Sequence, residues 1–143
     1  MPDPIAGEDL LRNVPPGHYD HDAEEPTPAA VWPRREDNGQ LSTDRDSVWS
    51  AEESFRFRTT VQKLPSRGVV ALAADDLVKR WDVQTLPDPQ VEGVDGAVAD
   101  NPAHALSDFT HLTVRPPAER KKLREAILLL ALEGGWLHGP VPD

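Results

Sequence analysis

The stretch from Pro116 to about Glu133 constrains this chain more than any other. Pro116 and Pro117 can open a helix, because a first-turn residue needs no N–H partner. Gly134-Gly135 can close it, because glycine takes left-handed backbone without steric cost. Between them, Glu119–Glu125 is mostly charged, and Ala126–Leu132 is apolar on every face of a 3.6-residue period. A helix apolar all round is buried on more than one side. The rest of the chain therefore folds around this helix, or part of it is buried in a partner.

A chain of 143 residues suits one domain. Only 38% of its residues are apolar and 15 are proline, which predicts a small core carrying much irregular chain. Cysteine is absent, which excludes disulfides and thiolate metal sites. No apolar run reaches the roughly 18 residues of a membrane span. The N-terminus lacks the basic start and apolar stretch of a signal peptide, so cytoplasmic residence is expected.

Along the chain, residues 1–30 read as an irregular, acidic, proline-rich segment, with one helical turn at Gly7–Asn13. Ala30–Trp32 and Gln40–Ser42 read as short strands about a turn at Glu36–Gly39, because Asn-Gly favours the positive φ angles of a tight hairpin. Ser50 and Glu53 have the spacing of a capping box, opening a helix that Pro65 stops. Gly68–Ala73 reads as a buried strand and Asp75–Trp81 as a short helix with acids first and bases last. Val83–Leu86 and His104–Phe109 read as further strands, with a loop between them. The expected fold is α+β: a small mixed or antiparallel sheet packed by two main helices, about 50–64 and 116–133, with residues 31–143 as the single domain.

Charge is unevenly placed. Residues 1–54 hold 13 acids and 4 bases, a net of −9, in a chain of net −10. Residues 112–125 hold 5 bases and 2 acids, a net of +3. The overall sign disfavours nucleic acid and anionic membranes. It suits a protein partner with a basic surface, met by Glu24, Glu25, Glu36 and Asp37. Arg115, Arg120, Lys121, Lys122 and Arg124 crowd a helix N-terminus, where cations are mildly unfavourable. That placement points to an acidic contact, either this chain's own front end or a partner.

Recognised catalytic signatures are absent. His18-Tyr19-Asp20-His21-Asp22 packs four possible metal ligands into five residues, yet in a segment that reads as loop, so no metal or cofactor is expected. His104 and Asp108 fall on one face of a strand, as a general base and its partner would. No serine lies in a nucleophile elbow. Arg34 and Asp44 sit in a run where arginines alternate with acids and suit internal ion pairs or anion recognition.

The segments NVPPGH, WPRREDNGQLSTDR, SAEESF, GVVALA, NPAHALSDF and GGWL, in that order, resemble small bacterial α+β proteins without an assigned activity. The resemblance implies a bacterial origin and a compact α+β domain and transfers no catalytic residue.

These features predict a non-enzymatic interaction module, an accessory or adaptor subunit of a bacterial multi-protein system. Two alternatives stand beside it. One is a small hydrolase or nucleotide-acting enzyme using His18, Arg34, Asp44, His104 and Asp108. The other is an acidic inhibitor or immunity protein that masks a basic site. The adaptor reading calls for a flat apolar patch with a charged rim. The enzyme reading calls for a cleft in which His18 or His104 meets Arg34 or Asp44.

Overall fold

The helix expected from the apolar run spans Pro117–Gly134, and a five-stranded antiparallel sheet packs against it. A computed structural model describes residues 3–92, 96 and 98–142. The strands are β1 (Asp9–Asn13), β2 (Tyr19–Asp20), β3 (Glu25–Pro26), β4 (Gln40–Arg45), β5 (Val69–Ala73), β6 (Thr85–Pro87), β7 (Gln90–Glu92), β8 (Val98–Asp100) and β9 (His104–Asp108). The α-helices are α1 (Ala51–Arg56), α2 (Ala74–Trp81), α3 (Thr110–Thr113) and α4 (Pro117–Gly134). Short 3₁₀ turns occupy Pro16–His18, Pro28–Val31 and Arg35–Asp37. The main sheet has the order β5-β1-β4-β9-β6; β2-β3 and β7-β8 are separate two-stranded ribbons. The α+β class with two helix regions near 50–64 and 116–133 is observed.

Several local expectations are revised. Gly7–Asn13 is no helical turn: Asp9–Asn13 is a strand near the middle of the sheet, paired on both edges. Leu10 lies opposite Leu72 and faces the core, whereas Leu11 lies opposite Ala71 and Asp44 on the other face. Both leucines are buried, so the strand lacks the alternation that marks a half-exposed one. Ala30–Trp32 is no strand; Pro28–Val31 is a 3₁₀ turn whose Ala30 and Val31 are buried in the core. The turn before β4 stands as expected, with positive φ at Asn38 (54°) and Gly39 (78°). Part of the expected loop after Pro87 is the β7-β8 ribbon; residues 93–95 and 97 of that loop lie outside the described residues.

Ser50 accepts from Glu53 N (3.2 Å) while Glu53 accepts from Ser50 N (3.0 Å), so the capping box is closed. The helix it opens is α-helical only to Arg56 and continues as a π-helical turn over Phe57–Val61. Such turns commonly occur at functional sites.

One face of the sheet carries Leu10, Val70, Leu72, Leu41 and Ala105. They pack with Ile127, Leu130 and Ala131 of α4, the Pro28–Val31 turn, Trp32 and Phe109. Leu123 and Trp136 are half-buried against this core. Burial of α4 on more than one side is not observed: Leu129 is 62% exposed, so the apolar run exceeds what one buried face requires. After α4, the chain returns to the outer edge of β5, where Val69 N and Leu137 N exchange hydrogen bonds with His138 O and Val69 O, 2.9 Å each.

Candidate functional site

The opposite face of the sheet is only partly covered. α1 packs over its β1–β5 side, leaving a cleft of about 740 Å³ over β1, β4 and β9 that Arg58 of the π-helical turn helps to line. Leu11 and Asn13 of β1, Ser42 and Asp44 of β4, and His104 and Leu106 of β9 line it. Ser42 pairs with Leu106 and Asp44 with His104, so these side chains share one face. Arg12, His18, Arg34, Asp37, Arg58, Gln62, Asp88, Glu92 and Asn101 complete its walls and rim. The volume lies within the range of small-molecule pockets.

A buried hydrogen-bond chain forms the floor. Ser66 Oγ donates to Asn13 Oδ1 (2.8 Å), and Asn13 Nδ2 donates to Ser54 Oγ (3.1 Å). Ser54 Oγ donates to Asp44 Oδ2 (2.5 Å), and Asn101 Nδ2 donates to Asp44 Oδ1 (2.9 Å). Asn101 Oδ1 in turn accepts from Ala103 N (2.9 Å). Burial pushes the Asp44 carboxyl above the usual aspartate range, while these two donors and the nearby His104 and Arg58 pull the other way.

His104 sits beside this network, 7% exposed. Its Nδ1 lies 2.6 Å from the carbonyl oxygen of Asp88 and 3.6 Å from the Asp88 carboxylate. A carbonyl only accepts, so Nδ1 carries the proton. In the neutral ring, Nε2 is then an acceptor with no protein partner among the described residues.

Three arginines reach the same cleft. Arg12 breaks the core-facing pattern of β1 where the β1-β4 pairing ends. Its Nε donates to Ala30 O (2.8 Å) and its Nη1 to Ser42 O (3.0 Å). Burial and repulsion from Arg58 lower its pKa to about 10. Arg58, on the π-helical turn, donates from Nε to Pro65 O (3.0 Å), and burial lowers its pKa too. Arg34 is exposed and tied to its own turn by Asp37 (3.3 Å) and Glu36 (3.5 Å). His18 closes the wall; burial, then Arg12 and Arg34, push its pKa below the usual histidine value.

The residues singled out in the sequence thus divide. His18, Arg34, Asp44 and His104 come together in the cleft. Asp108 does not. It sits at the end of β9, where it accepts from Thr110 N (2.9 Å) and Gln40 Nε2 (3.0 Å), and the Thr110 bonds hold its carboxyl below the usual range. The expected His104–Asp108 partnership is replaced by His104 with Asp88, with Asp44 opposite it in the β4-β9 register. Glu24 and Glu25 are exposed in the turn of the β2-β3 ribbon and at its β3 edge. Glu36 and Asp37 pair with Arg34, and Glu36 stays exposed. Arg124 lies over the Trp32 ring (5.6 Å) and Arg115 pairs with Glu119 (3.8 Å), while the Nε of Arg120 is buried without a hydrogen-bond partner among the described residues. Lys121 and Lys122 are exposed, and no ion pair between the α4 bases and the acidic front end occurs among the described residues.

Arg12, Arg58, Asn13, Ser54 and Asn101 were not legible as site residues. Their only signal is a polar or charged residue placed inside an apolar run, as in Leu11-Arg12-Asn13-Val14 and Phe55-Arg56-Phe57-Arg58. Among the described residues, no helix is long and apolar enough to cross a membrane. Compared with protein-family models, with curated proteins and with solved structures, the chain matches none.

Proposed function

We propose that this protein is a small hydrolase of the nucleotide-acting type, which holds an anionic substrate in the cleft and uses His104 as general base. One observation carries the reading: His18, Arg34, Asp44 and His104, from four distant segments, line one cleft of small-molecule size. A water beside His104 Nε2 gives its proton to the ring as its oxygen attacks the electrophilic centre. The bond to the leaving group breaks, and the leaving oxygen keeps the electron pair and takes a proton from solvent. Asp88, through the Nδ1 hydrogen bond, fixes the tautomer this step requires, and Asp44 stabilises the imidazolium that forms.

The test is hydrolysis of nucleoside mono-, di- and triphosphates and of phosphodiester and carboxylic-ester dyes. His104→Asn keeps a donor near Asp88 O and removes Nε2. Turnover reduced about 100-fold or more in this variant, with melting unchanged, supports the reading. Absence of turnover on the whole panel refutes it.

A second reading, the adaptor with a protein partner, draws on a different surface. Leu129 is 62% exposed and falls on the same α4 stripe as Lys122. Reversing Glu24 and Glu25 tests the acidic side of that reading without disturbing the Arg34 pairs. Slower, less salt-dependent association with the partner supports it.

A further inference from the structure

We propose that Arg12, Arg58 and His18 form a phosphoryl-binding subsite within the cleft, a ligand assignment that rests on the substrate reading above. The chain has 25 acids for 15 bases, so carboxylates are plentiful. They pair with other arginines: Glu8 with Arg45, Glu52 with Arg56 and Glu119 with Arg115 away from the cleft, and Asp37 with Arg34 at its rim. Arg12 and Arg58 have no carboxylate within ion-pair distance among the described residues, although both line the cleft. Asp44 is near enough to attract both, but its two oxygens accept from Ser54 and Asn101 instead.

Two like charges lining one cleft, one of them over nine-tenths buried, are unfavourable without an anion between them. The backbone holds both guanidinium groups in place. Arg12 spends Nε and one N–H of Nη1 on carbonyls, and Arg58 spends Nε. A guanidinium has five N–H donors, so each keeps several without a hydrogen-bond partner among the described residues. His18 lines the same cleft as a third group, and its Nδ1 is buried with no hydrogen-bond partner among the described residues. Two guanidinium groups and an imidazole exceed what one carboxylate can accept. They match the three oxygens and double charge of a phosphoryl group. Arg34 lines the same cleft and repels all three groups, but its own guanidinium is paired with Asp37 and Glu36.

Inorganic phosphate is the probe. Calorimetric titration of the whole chain at neutral pH, in two buffers of different ionisation heat, reads both affinity and proton uptake. Saturable phosphate binding is expected, with acetate at equal ionic strength failing to compete. Arg58→Gln should weaken it about tenfold or more, the loss of charge-assisted hydrogen bonds. Bound phosphate favours the protonated imidazole, so His18→Gln should bind phosphate with less proton uptake. Arg58 is half-buried on a turn, so its variant keeps the test open if Arg12→Gln fails to fold. Equal binding of acetate, no saturable phosphate heat, or unchanged affinity in Arg58→Gln each overturns the subsite. Phosphate binding without turnover of any ester leaves the subsite standing and removes the hydrolase reading.

Discussion

Ser54→Ala tests whether the polar floor of the cleft is integral to the fold. Ser54 is fully buried and stands between Asn13 and Asp44, accepting from one and donating to the other. Removing its oxygen deletes a hydrogen bond to a carboxylate, worth about 1.5–3 kcal/mol. It also orphans the Asn13 amide, about 1 kcal/mol at the low end because the cleft admits water. Alanine's better helix propensity returns about 0.5 kcal/mol. The expected net loss is about 2–3.5 kcal/mol, or about 6–10 °C in melting temperature for a chain of this size. The loss should also depend on pH. Burial raises the Asp44 pKa and the Ser54 bond lowers it, so the variant raises it further. The Ser54 bond favours the ionised carboxylate, so its stabilisation is complete above the Asp44 pKa and fades as pH falls through it. Urea unfolding at about pH 7.5 and about pH 3.5 reads both effects. A loss below about 0.5 kcal/mol, or an equal loss at the two pH values, refutes the account.

Three further outcomes follow from the packing. Ile127→Ala removes a fully buried side chain of α4 and should cost about 2–5 kcal/mol in denaturant unfolding. Gly39→Ala should lower the melting temperature, with a loss of about 1–3 kcal/mol, because φ is 78° and the new Cβ would lie 2.9 Å from the Thr110 Cα. Glu8→Gln should flatten the acid side of the stability profile. Arg45 holds Glu8 below its usual pKa, so that contribution, about 1 kcal/mol, is present above the ordinary glutamate pKa and lost as pH falls through the depressed value.

Elements with a local cause were legible in the sequence. The α1 start follows from Ser50 and Glu53, α4 from its proline and glycine punctuation, β5 and β9 from their apolar pattern. β1 was not, because its leucines are buried on both faces and two adjacent leucines also fit a helical turn. The π-helical turn was not, because nothing in Phe57–Val61 distinguishes it from continued α-helix. The same divide runs through the cleft. His18, Arg34, Asp44 and His104 draw notice by residue type alone. That Asp44 faces His104 depends on the β4-β9 register, and that Arg12 nears Arg58 depends on the β1-β5 pairing, which brings distant segments together. Asp108 shows the limit of spacing rules: its strand position was read correctly, and Thr110 claims its carboxylate.

The position of β1 bears on how this protein is made. During translation Asp9–Asn13 leaves the ribosome before both strands that flank it, β4 and β5. Until Val69–Ala73 emerges, one edge of a strand carrying Leu10 and Leu11 has no native neighbour. Such an edge invites pairing with other nascent chains. A truncated product ending before Val69 keeps that exposed edge permanently, so aborted synthesis of this protein should yield aggregates in place of a smaller folded unit.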